Sequence, residues 1–405
     1  MGKDKSWLEK TPIEFQVVTT ACCWPQTEEQ ADRLDRLLRR SIDWTRLLRI
    51  AHRNRVKGLV FASLWTRGNL IPGVVLEELK AASLTLLRDN VIAARYATCL
   101  TAEFAASGIS VAVVKGAPLG QMLYGALNLR QGKDIDLLVP ETSLEAADNA
   151  LRRNGHIRSA APSAATAQEL QAYRIYRSHY EYEPGPGKPQ VELHWRLHLN
   201  PHFGPSSYPE SGWQTVAFEP GIRIHTLGDL DLLCYLCAHG STHAWSRLKW
   251  IVDIATLLAS TPDLAVPLLK RSRQQNTERA ACQALLLAHD LFGTPLPPAM
   301  AAPTIAVRLL HRIARDTLTF GGAEQEIAEG PFLLRQVYFS QLLLSTSFRQ
   351  LLAGFHNQLL APAISRGPLS SRAARIAAPL RSVYRWLWRT ANPYLGEHGR
   401  VDQAK

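Results

Sequence analysis

Two aspartates in an otherwise apolar run constrain this chain more than any other feature of its sequence. In the stretch DIDLLVP, Asp134 and Asp136 alternate with apolar residues, which is the pattern of a half-buried β-strand. Successive side chains of a strand point to opposite faces, so the two carboxylates share one face and the apolar side chains enter the core. Carboxylates are rarely buried unless they are paired or bind a metal ion. The pattern therefore predicts a cation beside this strand.

A later stretch, QVELHWRLHL, shows the same alternation. Glu192, His194 and Arg196 occupy every second position, and apolar residues stand between them. If this strand lies beside the first one, Glu192 joins Asp134 and Asp136 at one edge of the sheet. His194 and Arg196 then lie where they can support the acidic site or contact a nucleotide. A cross-strand ion pair with an arginine is the structural alternative for Glu192.

Three carboxylates from two strands predict a metal centre. Hard, oxygen-rich ligand sets hold Mg²⁺, and substrate phosphates and water usually complete the coordination. A pair of such ions can activate an attacking hydroxyl and stabilise a pyrophosphate leaving group. We therefore expect two Mg²⁺ ions at Asp134, Asp136 and Glu192, with Mn²⁺ as the alternative ion. Glu181 and Glu183, on the preceding strand, compete with Glu192 for the position of the third ligand.

The residues before the aspartates predict a phosphate-binding turn. ISVAVVK has the pattern of a strand and APLGQMLYGAL that of a helix, with Lys115 and Gly116 at the junction. The N-terminus of a helix offers unpaired N–H groups to phosphates, and Gly116 would let the backbone approach a ligand closely. Lys115 would meet a phosphate charge. Arg130, four residues before Asp134, would orient the acidic pair or contact the nucleotide.

A polar stripe is predicted further along the chain. His239 and His243 stand four residues apart, which places them on one face of a helix. Arg247, Trp250 and Asp253 fall close to the same stripe if the helix continues without a break, and we expect the stripe to face the cleft and contact the nucleotide or the acceptor. Lys249 could reach the triphosphate, and a solvated lysine is the alternative. The glutamate of a helical zinc motif is absent, which disfavours zinc at these histidines. The alternative is a structural network in which Asp253 pairs with Arg247.

Hydrophobic periodicity divides the chain into three regions. Residues 1–108 have apolar positions at helical spacings, residues 109–200 alternate strands with helices, and residues 201–405 return to helices after the passage NPHFGPSSYPESG. Within the middle region, YRIYRSHYEYE and QVELHWRLHL predict a hairpin around PGPGKP. The expected fold is α+β, a small mixed sheet embedded between α-helical N- and C-terminal regions.

Composition limits the function further. The net charge of +11 fits phosphate-bearing ligands, but no zinc knuckle or aromatic-rich RNA-binding motif accompanies it, so sequence-specific nucleic-acid binding is not expected.

We expect a cytoplasmic protein, since no signal core and no run of about 18 uncharged apolar residues occurs. The six cysteines are expected to be reduced thiols. The stretch RIAAPLRSVYRWLWRTANPYL either packs against the helical region or contacts an anionic membrane surface.

The stretch KGAPLGQMLYGALNLRQGKDIDLLV, followed by VELHW, resembles the bacterial nucleotidyltransferases of the DNA polymerase beta superfamily. It is most similar to a poorly characterised branch that reads K-G-small-x-L, then L-Y, then R-x-x-x-D-[IL]-D-[IL]-L-V. DWTRLLRIAHRNRVKGLVFASL and HGSTHAWSRLKWIVDIATLL resemble helices of the same branch, so the resemblance covers most of residues 40–260. It implies that Asp134, Asp136 and Glu192 bind the divalent metals. Most relatives have Gly-Ser at the phosphate turn, where this chain has Lys115 and Gly116.

The resemblance also implies the reaction. A nucleoside monophosphate would pass from a nucleoside triphosphate such as ATP to an acceptor, with release of pyrophosphate. The acceptor would be a small molecule, a peptide or protein side chain, or an RNA end, and relatives often occur in natural-product pathways. Two other functions stay open on the sequence, a nucleotide-binding regulator or scaffold that does not turn over and an RNA-modifying toxin.

Overall fold

The computed structural model describes residues 6–132, 134–159, 167–183, 185, 188–219, 222–326 and 331–364. Its architecture is the predicted α+β fold, in which helices precede and follow a five-stranded mixed sheet. The Arg- and Trp-rich stretch that was considered for membrane contact lies outside the described residues.

Helices form the N-terminal region. They are α1 (Ser6–Glu9), α2 (Ile13–Ala21), α3 (Glu28–Leu38), α4 (Trp44–Arg53), α5 (Lys57–Trp65) and α6 (Gly73–Ala106). The side chain of Thr27 accepts a hydrogen bond from Gln30 N–H in a capping box that starts α3. The side chain of Asp43 accepts a hydrogen bond from Arg46 N–H at the start of α4. At 1.5 Å per residue, α6 is about 50 Å long. It therefore reaches from the N-terminal helices to the sheet, where it contacts β2.

The middle region folds around the sheet. Its elements are β1 (Ala112–Val113), α7 (Ala117–Tyr124), β2 (Asp134–Leu138), α8 (Leu144–Arg153), β3 (Ile157–Arg158), α9 (Ala167–Tyr176), β4 (His179–Glu183) and β5 (Gln190–His194). The strand order is β1-β2-β5-β4-β3, and β2 and β5 are parallel while the other pairs are antiparallel. Ile135, Leu137, Val191 and Leu193 are buried in one core with Tyr180. The alternating acidic side chains of β2 and β5 therefore lie on the opposite face.

Two details of the predicted hairpin were wrong. The first residues of YRIYRSHYEYE form the last turn of α9 instead of a strand, because Leu170 and Tyr173, three residues apart, both pack against the core beneath the sheet. The second strand is also shorter than predicted. The N–H groups of Trp195 and Arg196 both donate to Ser178 O, and β5 ends at His194. Arg196 therefore does not extend the polar face.

The region after the sheet begins with a hairpin that the sequence analysis did not predict, formed by β6 (Trp213–Glu219) and β7 (Ile222–Leu227). β7 lies beside β1. The helices that follow are α10 (Asp229–Thr242), α11 (Leu248–Ser260), α12 (Ala265–Gln274), α13 (Glu278–Phe292), α14 (Ile305–Leu318), α15 (Pro331–Leu343) and α16 (Phe348–Ile364).

Two main apolar cores hold these elements together, and a small third cluster contains Phe203 and Leu310. The larger core joins the N-terminal helices to the C-terminal helices, and Phe15 and Leu47 are buried in it together with Tyr235 and Leu285. The smaller core lies under the sheet and extends to α6 and α8. The division into residues 1–108, 109–200 and 201–405 stays a prediction.

The structure also bears on the membrane and cysteine predictions. Within the described ranges, no single helix has both the length and the apolar character to cross a membrane, and one pair bent by 110°, Leu248–Ser260 with Pro262–Gln274, meets the criteria only when taken together. All six cysteines are free thiols, as predicted.

Candidate active site

Three carboxylates meet on the polar face of the sheet. β2 and β5 run parallel in a register that sets Asp136 opposite Glu192, and Asp134 precedes Asp136 on the same face. One oxygen from each of the three side chains lies within 4.8 Å of the others. Asp136 is fully buried, whereas Asp134 and Glu192 are half-buried. The structure therefore brings together the three residues that the sequence analysis proposed as metal ligands, and we call them the acidic triad.

Lys115 and His194 surround Asp136. Lys115 Nζ lies 2.8 Å from Asp136 Oδ1, and His194 Nε2 lies 3.2 Å from the same oxygen and 3.1 Å from Glu192 Oε2. Burial alone would raise the pKa of Asp136, but Lys115 and His194 together hold it well below its usual range. Burial opposes the charge on His194, yet its hydrogen bonds to Asp136 and Glu192 raise its pKa to about 9. A proton on His194 and the ammonium of Lys115 thus offset the negative charge of the triad.

The acidic triad fits a divalent cation. Asp136 Oδ2 is buried and has no hydrogen-bond partner within the described part of the chain. Burial, and then the nearby carboxylate of Asp136, raise the pKa of Asp134 to about 6, because the charged form lacks sufficient neutralisation. Carboxylate oxygens are the ligands that Mg²⁺ prefers. An orphaned buried oxygen beside a second, crowded carboxylate is the arrangement that such an ion would stabilise.

The turn before α7 passes very close to β2. Gly116 is the N-cap of α7 and has a φ of +76°, and a Cβ atom there would stand 3.3 Å from Asp134 O. A Cβ atom on Gly132 would stand 2.9 Å from Asn90 Oδ1. The positive φ of Gly116 therefore favours glycine, and a side chain at either position would crowd the neighbouring atoms. The close approach holds the N-terminus of α7 beside the triad.

The side chain of Arg130 contacts Asp253 and the backbone of the phosphate turn. Its Nε lies 3.0 Å from both carboxylate oxygens of Asp253, and its Nη1 donates to Gly116 O at 3.4 Å. Tyr124 donates from its hydroxyl to Asp253 at 2.8 Å. The side chains of Arg130 and Asp253 are almost wholly buried. The ion pair therefore supports the phosphate turn, and Asp253 pairs with Arg130 instead of Arg247.

Lys249 lies among other cations near the start of β2. Its Nζ donates to Gln131 O at 3.2 Å, just before β2. Burial, and then the positive charges of Arg130 and Arg55, lower the pKa of Lys249 to about 7, although the nearby carboxylate of Asp253 opposes the shift. Such crowding of cations stabilises a bound polyanion.

Arg55 completes this cationic surface, and the sequence analysis missed it. It follows α4 with a φ of +57°, and the N–H groups of Arg55 and Val56 donate to His52 O and Ala51 O, the bonding pattern of a Schellman motif. Glycine usually occupies that position. The half-buried side chain makes no hydrogen bond or ion pair with the part of the chain that the structure describes. Burial, and then the charge of Arg247, lower the pKa of Arg55, and the carboxylate of Asp134 is close enough to oppose that shift.

The predicted polar stripe is not on one helix. α10 ends at Thr242 and α11 begins at Leu248. The chain still brings His239 and His243 together, with their ring centroids 4.8 Å apart, and His243 stacks on Trp250 at 5.1 Å. Burial, and then the charge of Lys115, lower the pKa of His239 well below its usual value. Neither group of side chains with metal-compatible spacing in the described ranges includes these two histidines.

Two arginines that were predicted to contact the nucleotide bind backbone carbonyls. Arg196 donates from Nη2 to Arg174 O and Arg177 O, both at 2.7 Å, at the C-terminal end of α9. Arg247 donates from Nη1 to Arg53 O at 2.5 Å and pairs with Glu326 at 2.7 Å. Their guanidinium groups thus connect loops. Arg247 still contributes positive charge near Arg55.

The sequence model of a protein family described as uncharacterised nucleotidyltransferase matches residues 40–293, which is well over half of the 405 residues. The matched range contains the acidic triad, the phosphate turn, Arg55 and Lys249. No curated protein and no solved structure matches the chain.

Proposed function

Because the chain belongs to the family of uncharacterised nucleotidyltransferases, we propose that it transfers a nucleoside monophosphate from a nucleoside triphosphate to an acceptor and releases pyrophosphate. The observation that supports this reaction is the meeting of Asp134, Asp136 and Glu192 within 4.8 Å beside a surface rich in cations. Acids on one side and cations on the other match a substrate that carries both bound metal ions and a polyphosphate.

The acidic triad is proposed to hold Mg²⁺, with Mn²⁺ as the alternative. When bound, such an ion neutralises the phosphate oxygens and stabilises the charge that develops on the leaving pyrophosphate. Asp136 offers its unpartnered Oδ2. Asp134 and Glu192 each offer a carboxylate oxygen of the group that lies within 4.8 Å. Lys115 and His194 fix the orientation of Asp136 through their contacts with its Oδ1.

The cations are proposed to bind the triphosphate. Lys249 and Arg55 supply charge from α11 and from the end of α4, and Lys115 supplies it from the phosphate turn. The N–H groups at the start of α7 add further donors, and Gly116 lets the phosphates approach them. His239 and His243 are proposed to contact the nucleotide from the end of α10.

The chemistry follows from this placement. A nucleophilic oxygen or nitrogen of the acceptor forms a bond to the α-phosphorus, the bond from that phosphorus to the bridging oxygen breaks, and pyrophosphate leaves with the electron pair. The proton of the acceptor passes to solvent. In-line displacement of this kind depends mainly on positioning and charge neutralisation. The proposed setting is the cytoplasm, which supplies triphosphates and Mg²⁺.

Labelled triphosphates test the proposal. The protein is incubated with Mg²⁺, a cell extract, and each nucleoside triphosphate labelled at either the α- or the γ-phosphate. We expect the α-label to appear on a new acceptor and the γ-label to appear in pyrophosphate, and we expect the Asp134→Asn variant to lose both products. The matched control is Asp263→Asn, which changes an exposed aspartate remote from the triad in sequence. Label transfer that is equal in Asp134→Asn and the wild type contradicts the mechanism, and metal-dependent binding without transfer favours a silent regulator.

A further inference from the structure

A second group of metal-compatible side chains lies beside the acidic triad. β4 pairs antiparallel with β5 in a register that sets His179 opposite His194 and Glu181 opposite Glu192. The same polar face of the sheet therefore continues from β2 across β5 to β4. His179, Glu192 and His194 each present one ligand atom within 4.8 Å of the other two, and the two imidazole rings have their centroids 4.7 Å apart.

The chemistry of this group differs from that of the triad. The triad offers only carboxylate oxygens, whereas His179 and His194 add two imidazole nitrogens to the carboxylate of Glu192. Imidazole suits Zn²⁺ and other transition-metal ions, while Mg²⁺ prefers oxygen ligands. Two histidines and one glutamate form a known kind of three-ligand zinc set, which leaves one position for water or substrate.

The two imidazoles have different surroundings, and Zn²⁺ must displace the proton of His194 in order to bind there, because histidine binds metals in its neutral form. His194 is about 95% buried, and its Nδ1 has no hydrogen-bond partner within the described ranges although its surroundings exclude water. His179 is oriented at both ring nitrogens, since Nδ1 lies 3.2 Å from Ser178 Oγ and Nε2 lies 3.4 Å from Glu181 Oε1. Whichever nitrogen of His179 binds a metal, the other keeps a polar neighbour, which is typical of histidine ligands.

We propose that His179, Glu192 and His194 form a second metal site that takes Zn²⁺. Glu192 belongs to both groups, so an ion in this site draws the carboxylate away from the acidic triad. Zinc at this site therefore competes with the binding of Mg²⁺ and lowers the rate of transfer. This consequence rests on the proposed function, whereas the binding of zinc does not.

Zinc affinity tests the site without any assay of transfer. The metal-free full-length protein is titrated with Zn²⁺ in competition with a chromophoric chelator. We expect His179→Ala to weaken zinc binding at least tenfold. Asp134→Asn, which alters only the triad, is expected to weaken it less. His225→Ala removes an exposed histidine of β7 and is the matched control, with unchanged affinity expected. Equal affinities of the wild type and His179→Ala overturn the proposal.

X-ray absorption at the zinc edge tests the ligands directly and needs no variant for its main result. We expect two imidazoles in the coordination shell of the wild-type zinc complex and one in that of His179→Ala. A wild-type shell with one imidazole or none overturns the assignment even if zinc binds tightly.

Inhibition provides the last test. At saturating Mg²⁺, added Zn²⁺ is expected to inhibit transfer by the wild type, and His179→Ala is expected to need at least tenfold more zinc for the same inhibition. Equal inhibition of both proteins contradicts the competition at Glu192. If the protein shows no transfer, the proposed function fails, and the affinity and absorption measurements still decide whether the zinc site exists.

Discussion

Lys115 Nζ lies 2.8 Å from Asp136 Oδ1, so the lysine of the phosphate turn contacts the most deeply buried carboxylate of the triad. The contact connects the two halves of the site, because Lys115 follows β1 and Asp136 lies on β2. A single ammonium thus holds a metal ligand in place and adds positive charge beside the cations proposed to bind phosphate.

The first prediction concerns that contact. Lys115→Met removes the charge but keeps most of the volume, and we expect the rate of transfer to fall at least about 100-fold, as is common when one preorganised electrostatic contact is lost. Lys57→Met is the control, since Lys57 pairs with Glu78 on the N-terminal helices. Transfer by Lys115→Met within threefold of the wild-type rate would show that the ammonium is not needed.

The second prediction concerns Arg55, whose substitution by glycine should change stability and function in opposite directions. Glycine accepts a positive φ without strain, so we expect Arg55→Gly to raise the free energy of unfolding by up to about 1 kcal/mol. The same change removes a cation from the proposed phosphate site, so the KM for the triphosphate should rise at least tenfold. Urea denaturation and steady-state kinetics measure the two effects. A more stable variant with an unchanged KM would show that Arg55 does not contribute to binding of the triphosphate.

The third prediction concerns the buried pair of Arg130 and Asp253. Breaking a buried ion pair leaves an uncompensated charge, so Arg130→Met and Asp253→Asn should each lower the free energy of unfolding by about 3–5 kcal/mol. The double variant should be less destabilised than the sum of the two, since it leaves neither charge behind. Tyr124→Phe, which removes one hydrogen bond to Asp253, should cost about 1 kcal/mol. Additive effects in the double-mutant cycle would show that the two side chains do not interact in solution.

The fourth prediction concerns pH. The pKa of His194 rises from about 6.5 in the unfolded chain to about 9 in the fold, so its contribution to stability, up to about 3 kcal/mol, is complete below pH 6.5 and is lost as pH rises through 9. The raised pKa of Asp134, about 6, acts in the same direction at lower pH, because stability falls as this buried carboxyl ionises. The lowered pKa values of Lys249 and of buried His239 act in the opposite direction, so the effect of His194 is measured as the difference between the metal-free wild type and His194→Gln. The melting temperature of the wild type relative to that of His194→Gln should fall as pH rises from about 6.5 to about 9. A difference that stays constant or grows over this range would contradict the raised pKa of His194.

The sequence predicted the acidic triad because strand alternation is a local property that needs no knowledge of the partner. It also predicted the α+β class and a glycine turn before a helix. Arg55 was missed because its conformation at the end of α4 and its approach to Asp134 depend on packing. The pairing of Arg130 with Asp253, 123 residues apart, could not be distinguished from a pairing of either residue with a nearer partner.

The second histidine group was missed for a different reason. His179 lies in a stretch whose first residues were predicted as strand but form helix α9, and its partner in the ladder depends on the exact register of β4 and β5. A shift of one residue would have turned His179 to the apolar face. Alternation identified the polar positions of each strand, and only the pairing shows which of them meet.

The central claim is that the acidic triad and the facing cations form one metal-dependent site for a nucleoside triphosphate. Calorimetric titration with a non-hydrolysable triphosphate analogue, with Mg²⁺ and with a chelator, tests it most directly. We predict that the wild type and Asp263→Asn bind the analogue only with Mg²⁺, and that Asp136→Asn, although folded, binds it at least tenfold more weakly. Equally tight binding by Asp136→Asn, or by the wild type without a divalent ion, would contradict the claim.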